Sequence, residues 1–252
     1  MLDFLKPPVE AFQDFIVLTG RAVRNIFRSP HYPDDIFQQM DIIGVGSLPI
    51  VMMIGLFSGV VMTMQMARAL QQYGAQGQVG QIVSIALVRE LGPVLTAVLV
   101  AGRNASGIAS ELGSMKVTEQ IDAMRALGTD PLQKLVTPRL IATSFVLPLL
   151  TIIADFIGLI GGSVIAYFLL NISGTQYWTS AWMILEYNDL VQGLIKPLIF
   201  AVVIALVGCF YGMRTTGGTQ GVGRATTKAV VVSSVWIFFL TSMVTRIFLY
   251  ST

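Results

Sequence analysis

The sequence of 252 residues contains very few side chains that could form disulfides or bind metals. It has one cysteine, Cys209, and one histidine, His31. These counts exclude a disulfide framework or a Cys/His metal site within one chain. The G-x-x-x-x-G-K-[ST] phosphate loop is also missing, so the chain cannot hold ATP by that device. No internal repeat is visible, although repeats are common in secondary transporters.

Charged residues make up only 12% of the chain, whereas hydrophobic residues make up 54%. The apolar residues gather in five stretches, each long enough to cross a roughly 30 Å hydrocarbon core at ~1.5 Å per residue. The sequence therefore predicts an all-α membrane protein with five transmembrane helices. The predicted spans are about Leu48–Gln72, Gln81–Leu112, Pro138–Leu170, Leu190–Met213 and Ala229–Tyr250.

Lysine and arginine are absent from two of the predicted connections, residues 73–80 and 171–189. Most basic residues lie before the first span, after the second span and after the fourth span. Because basic residues accumulate on the cytoplasmic side, we expect the amino terminus in the cytoplasm and the carboxyl terminus on the other side.

An amphipathic segment precedes the first span. In residues 9–27, aromatic and aliphatic residues recur at helical spacing, and arginines occupy another face. This pattern predicts an interfacial helix in the headgroup plane, which we interpret as a membrane anchor. We expect the interfacial region to cover residues 1–47 and to include a second short helix capped by Asp34 or Asp35.

The connection between the second and third spans carries the most specific pattern. Ser114 can cap a short helix that ends near Leu127, where Gly128 provides a C-terminal stop. This amphipathic helix, about residues 114–127, is suited to dock in a partner's groove and to pass its motion to the spans. The residues expected to make this contact are Met115, Glu119, Gln120, Asp122 and Met124.

Charged residues also interrupt the outer halves of the predicted spans. An unpaired charge in lipid costs at least ~2.5–3.5 kcal/mol, so these groups should face one another or a polar cavity. Asp155 and Lys196 fall at similar depth, and we expect them to form a structural ion pair. Four cations against two carboxylates leave an excess of positive charge, which suits a phosphate headgroup. These residues are Arg68, Arg89, Glu90, Asp155, Lys196 and Arg246.

Three G-x-x-x-G motifs lie within the predicted spans, and such motifs allow helix backbones to approach closely. They predict compact helix packing without identifying which helices meet. The motifs are Gly55/Gly59, Gly158/Gly162 and Gly208/Gly212.

The block Glu90–Ala142, with ELGPVLTAVLVAGR, ASELGSMKVTEQIDAM and ALGTDP, resembles the MlaE/YrbE permease family. The resemblance extends over essentially the whole chain, including GGTQGVGRATTKAVV at Gly217–Val231. It implies one permease domain over residues 1–252. It also implies an inner-membrane subunit of an ABC transporter that moves phospholipid to or from a periplasmic MCE-domain protein and maintains outer-membrane lipid asymmetry.

The resemblance further implies a homodimer that assembles with two ATPase subunits and a hexameric MCE-domain protein. ATP would be hydrolysed on the partner, so we expect a transport subunit that is not itself an enzyme and binds no cofactor. The segment Met115–Leu127 matches the family's coupling helix. Arg89 and Glu90 match a charged pair in the family's lipid cavity. Together with the span charges, the expected lipid-binding residues are Arg89, Glu90, Tyr73, Leu70, Met62, Arg68 and Arg246.

Two other functions fit parts of the sequence. An ion-coupled secondary transporter would use Asp155 and Glu90, but it would need no ATPase and usually has repeats. A membrane anchor that transports nothing would explain the topology but not the charges inside the spans. Both remain alternatives at this stage.

Overall fold

A computed structural model describes residues 6–251, with side chains from residue 10 onward except those of 249 and 251. The side chain of Lys6, one of the basic residues before the first span, and Thr252 at the carboxyl terminus lie outside the described residues. The described residues form helices joined by short connections. The helices are α1 Lys6–Ile26, α2 Pro33–Gln71, α3 Gln76–Val117, α4 Gln120–Ala126, α5 Leu132–Leu170, α6 Gly174–Met183, α7 Tyr187–Met213 and α8 Gly218–Ser251.

Five of these helices are long and apolar enough to cross a membrane, which confirms the predicted spans and the all-α fold. They are α2, α3, α5, α7 and α8. The expected second short helix before the first span is not separate, because α2 runs without a break from Pro33. Pro33 at its first position and two aspartates in its first turn favour a helix start there.

The described helices divide into two compact units. The first unit contains the chain through Ile43, Ala101–Ser144 and Ala201–Val235. The second unit contains Gly44–Val100, Phe145–Phe200 and the chain from Trp236 onward. Each has its own apolar core.

In the first unit, α1 packs against the core through one of two apolar faces. Phe15, Leu18 and Ile26 are partly buried against a cluster that includes Leu112 and Leu206. The predicted helix is confirmed, but only some of its apolar residues pack against the protein core, and others remain on the surface. Among its described side chains, the large apolar residues of α1 that stay exposed are Phe12, Ile16, Val17 and Val23, and Phe27 directly after the helix is also exposed.

Glycines bring helix backbones together within each unit. In the second unit, a Cβ atom added to Gly59 of α2 would lie 1.8 Å from the carbonyl oxygen of Gly158 in α5. In the first unit, a Cβ atom on Gly212 of α7 would lie 2.8 Å from the Cβ atom of Leu112 in α3. The predicted close packing is therefore confirmed, and the helix pairs are α2–α5 and α3–α7.

The short helix after the second span begins later than predicted. Ser114 does not cap it, because α3 continues through Val117. Glu119 adopts a left-handed conformation with φ of 60°, and α4 starts at the next residue. The predicted stop is confirmed: Gly128 has φ of +81°, and its N–H donates to the Arg125 carbonyl at 3.0 Å.

Candidate functional site

Arg89 and Glu90 lie on a π-helical turn within α3. This turn covers Leu87–Leu91, and the Gly92 N–H donates to the Leu87 carbonyl five residues earlier. A π turn changes the direction of the side chains that follow it, and such turns often occur at functional sites. The turn therefore sets which neighbouring helix each charged side chain can reach.

Arg89 pairs with Asp189 at the start of α7. The Arg89 Nε atom donates to Asp189 Oδ1 at 2.5 Å. The other carboxylate oxygen, Oδ2, accepts the backbone N–H of Glu186 at 3.0 Å. The Asp189 side chain is only 3% exposed, whereas Arg89 is 38% exposed. The carboxylate is thus held at both oxygens, and the guanidinium keeps a face that is open to other groups.

Glu90 pairs with Lys196 of α7. The Lys196 Nζ atom lies 2.6 Å from Glu90 Oε1 and 2.7 Å from the Arg89 carbonyl oxygen. The Thr245 hydroxyl of α8 donates to the same Glu90 oxygen at 2.8 Å. This arrangement corrects the expected Asp155–Lys196 pair. Asp155 and Lys196 were paired in the prediction because they lie at similar depth in their spans. In the structure the Lys196 side chain points toward Glu90 and bonds to it instead.

These side chains border a cavity of about 220 Å³ in the second unit. Its lining combines charges of both signs, two amides, a hydroxyl and one aromatic ring. Such groups can hold a polar headgroup through charge-assisted hydrogen bonds. The lining residues are Arg89, Glu90, Asn188, Asp189, Gln192, Thr245 and Phe248.

Four of these polar residues were not expected from the sequence: Asn188, Asp189, Gln192 and Thr245. Asp189 directly precedes the predicted fourth span and was assigned to the polar connection. However, α7 begins at Tyr187, so Asp189 lies in its first turn. An acidic residue one position before an apolar stretch is the signal that could have found it. With Asp189 included, the two cations and two carboxylates of this cluster cancel, which corrects the expected positive excess at this site.

The other expected lipid-binding residues do not line this cavity. Arg68, Tyr73 and Arg246 are exposed, and the Arg246 guanidinium lies 5.8 Å from the centre of the Tyr250 ring. Met62 and Leu70 are partly buried against the core of the second unit. Their contacts with lipid stay predictions.

Asp155 occupies a different, mainly apolar groove of about 280 Å³. Its Oδ1 atom is buried and has no hydrogen-bond partner among the described residues. A Cβ atom on Gly92 would lie 1.6 Å from this oxygen, so only glycine leaves room for the carboxyl group. The surrounding side chains are mostly aliphatic or aromatic: Val88, Ile152, Phe156, Leu159, Trp182, Leu185, Leu190 and Leu194.

The short helix α4 presents a polar surface in the first unit. Ile121 is buried, and Met115 and Met124 pack partly buried against the same core, so their expected contact with a partner stays a prediction. Asp122 bonds to Lys116 Nζ at 2.7 Å and to Arg125 at 3.3 Å. The hydrogen bond from Lys116, with the charge of Arg125, lowers the pKa of the Asp122 carboxyl group. The exposed residues of this surface include Glu119, Gln120, Asp122, Arg125 and Leu127, and Leu127 is 84% exposed.

The first turn of α5, which follows α4, contacts the connection between α1 and α2 and the first turn of α2. The Gln133 amide donates to the carbonyl oxygens of Arg28 at 3.0 Å and Pro30 at 2.8 Å. Lys134 pairs with Asp35 at 2.5 Å and lies over the Tyr32 ring. A displacement of α4 that moves the first turn of α5 would therefore act on the first turn of α2.

Comparison with known proteins identifies the family. The family model described as Permease MlaE matches residues 36–247. A probable ABC transporter permease of Rickettsia typhi is 40% identical over 92% of this chain and 90% of its own length. One from Synechocystis is 43% identical over 88% of this chain and 84% of its own length. The chloroplastic protein TRIGALACTOSYLDIACYLGLYCEROL 1 of Arabidopsis thaliana is 36% identical over 88% of this chain and 63% of its own length.

These matches cover most of the chain and agree with its five apolar helices. A permease subunit leaves ATP to a partner ATPase and is a transport subunit rather than an enzyme. Membership also sets aside the ion-coupled secondary transporter. The chain belongs to the MlaE permease family and is a multi-pass membrane subunit of an ABC transporter.

Proposed function

We propose that this permease moves phospholipid between the inner membrane and a periplasmic MCE-domain partner. The proposal rests on the cavity around Arg89 and Glu90. Its lining contains charged residues of both signs, and these residues belong to helices that are otherwise apolar. Ionisable groups within spanning helices are costly and commonly mark a substrate path. A protein that only anchors partners would not need this cavity.

The composition of the site fits an amphiphile. Arg89 offers a partly exposed guanidinium, which binds phosphate well because of its planar fork of N–H donors. The apolar surfaces of the surrounding helices suit acyl chains. The name of the Arabidopsis relative contains that of a galactolipid, which supports lipid as the class of substrate. In a Gram-negative bacterium, such transport would maintain the lipid asymmetry of the outer membrane.

We further propose that the active permease is a homodimer. Much of α8 is apolar and exposed in one copy, and its exposed residues include Val235, Phe239 and Ile247. A second copy would cover part of this surface and place two cavities near one interface. In this assembly the amino terminus faces the cytoplasm and the carboxyl terminus faces the periplasm, as the basic residues predict.

The exposed surface of α4 is the proposed contact for two ATPase subunits. Leu127 offers an apolar anchor, and beside it lie the exposed Glu119 and the Asp122 carboxylate, which is paired with Lys116 and Arg125. Gln133 and Lys134 lie in the first turn of α5 and contact the α1–α2 connection and the start of α2, so movement of α4 would reach membrane-spanning helices. A hexameric MCE-domain protein would receive or deliver lipid on the periplasmic side.

The test is lipid transfer by the complete complex. The permease, ATPase and MCE-domain protein would be reconstituted in vesicles with a fluorescent phospholipid, and its movement to acceptor vesicles would be followed with ATP. We expect transfer that requires ATP and an ATPase able to hydrolyse it. A complex that hydrolyses ATP, carries no phospholipid and transfers none would overturn the proposal.

A further inference from the structure

Beyond lipid transport itself, we propose that Asp189 determines headgroup selectivity by keeping the cavity electrically neutral. Zwitterionic phospholipids, such as phosphatidylethanolamine, are then preferred over anionic ones, such as phosphatidylglycerol. This inference rests on the proposed function, and it names the class of headgroup that the same cavity accepts.

The first step is the position of Asp189. Its carboxylate is 3% exposed, and its two oxygens accept from Arg89 Nε and from the backbone N–H of Glu186. Both contacts hold the carboxylate in one orientation next to Arg89. The negative charge of Asp189 is therefore held next to Arg89 and is shielded from solvent.

The second step is the charge of the cluster. Arg89 and Lys196 are balanced by Glu90 and Asp189, and each cation contacts one carboxylate. Lys196 has a side chain that is 0% exposed, and its ammonium already bonds Glu90 and the Arg89 carbonyl. Lys196 therefore contributes one positive charge to the cluster but does not line the cavity and cannot contact a headgroup.

The third step is what remains accessible to a ligand. A guanidinium has five N–H donors, and the contact with Asp189 uses the one on Nε. The remaining donors of the partly exposed Arg89 suit a phosphate. Glu90 is 37% exposed, and Oε1 accepts both Lys196 and Thr245, so Oε2 suits a cationic group. A headgroup that carries both a phosphate and an ammonium can bind Arg89 and Glu90 at the same time.

An anionic headgroup meets a less favourable site. Its phosphate would bind Arg89, but no ammonium would reach Glu90, and its net charge would face two fixed carboxylates. Like charges brought together across a binding surface oppose association and so contribute to specificity. Without Asp189, the Arg89 charge would no longer be cancelled, and the cavity would attract anionic lipid.

The experiment compares variants by the charge that they leave in the cavity. Each variant is purified as the whole transporter from membranes that contain phosphatidylethanolamine and phosphatidylglycerol, and mass spectrometry gives the ratio of the bound lipids. Asp189→Asn leaves one extra positive charge, and we expect the anionic fraction to rise roughly fivefold relative to the zwitterionic one. Arg89→Gln leaves one extra negative charge and should lower this fraction.

The double variant Arg89→Gln/Asp189→Asn restores neutrality and should return the ratio to that of the wild type. Glu186→Gln is the matched control, because it removes an exposed carboxylate three residues away that does not line the cavity. It leaves the backbone N–H bound to Asp189 in place, so the lipid ratio should not change. A shift in this control as large as that in Asp189→Asn would overturn the inference, since it would indicate general surface charge.

An unchanged ratio in Asp189→Asn, or a double variant that still enriches anionic lipid, would also overturn it. If Asp189→Asn does not assemble with the ATPase, Arg89→Gln and the double variant still test the order of the ratios. Failure of the proposed function looks different, because the wild-type complex would then carry no phospholipid and show no transfer with ATP.

Discussion

Lys196 lies with its ammonium 2.6 Å from the carboxylate of Glu90, and its side chain is completely shielded from solvent. The two residues come from α7 and α3, so the pair joins two spanning helices of the second unit. Their exposures differ, because the Glu90 side chain is 37% exposed. The two halves of the pair should therefore respond differently to substitution.

We expect Glu90→Leu to be more destabilising than Lys196→Met. The first leaves a buried ammonium with only the Arg89 carbonyl, which should cost about 3 kcal/mol. The second leaves a carboxylate that is partly hydrated and still bonded to Thr245, which should cost less, about 1 kcal/mol. Thermal unfolding of the purified protein in detergent measures both. The double variant should recover most of the loss, and additive losses would contradict the pairing.

The α2–α5 crossing gives a second prediction. Gly59→Ala would place a methyl group 1.8 Å from the Gly158 carbonyl oxygen, where only movement of the backbone can make room. We expect a loss of roughly 1–3 kcal/mol in thermal or denaturant unfolding. Gly107→Ala is the control in α3, because a Cβ atom there meets nothing within 4 Å. Equal stability of the two variants would argue against the close crossing.

Much of the fold could be predicted from the sequence because lipid imposes strong constraints on it. The length of the apolar stretches identified the spans, and the motif at Gly55 and Gly59 predicted a close helix crossing that the structure shows. Which charged side chains pair with one another could not be predicted in this way. Depth along a span gives no direction around the helix, and the π turn at Leu87–Leu91 changes that direction for Arg89 and Glu90.

The candidate site was found only in part for the same reason. Arg89 and Glu90 are visible as charges in an apolar stretch, whereas Asp189 is hidden because it precedes the stretch and its helix begins a turn earlier. The start of α4 was missed because the break depends on the backbone of Glu119, and glutamate rarely adopts positive φ. The end at Gly128 followed the usual rule.

The exposed surface of α4 gives a third prediction. Leu127→Asp and the double variant Glu119→Lys/Asp122→Lys should each weaken binding of the ATPase roughly tenfold, because an apolar anchor or its neighbouring charges are lost. Co-purification and the affinity of the detergent-solubilised permease for the ATPase measure this effect. Glu186→Lys is the control, since it reverses an exposed charge in the other unit. Full binding by both α4 variants would rule out this docking surface.

The contact between Lys134 and Asp35 gives a fourth prediction. Lys134→Asp or Asp35→Lys should each lower stability by up to about 1 kcal/mol, because both side chains are about one-third exposed. Each should also reduce lipid transfer per ATP hydrolysed, since the link between the first turn of α5, next to α4, and α2 is weakened. The charge-swapped double variant should recover both properties. Recovery of neither would show that this pair does not connect the two segments.

The fifth prediction concerns topology, and the structure indicates where reporters can be placed. Thr219 lies in the first turn of α8, so an insertion is better made in the preceding connection, between Thr216 and Gly217. We expect this reporter in the cytoplasm, because Arg214, Arg224 and Lys228 flank it. A reporter inserted at Gly74, in the connection between α2 and α3, should be periplasmic, as should one fused after the carboxyl terminus. Alkaline phosphatase and green fluorescent protein fusions distinguish the two sides. If the α7–α8 reporter and the carboxyl-terminal reporter lie on the same side, α8 does not cross the membrane and the five-span topology is wrong.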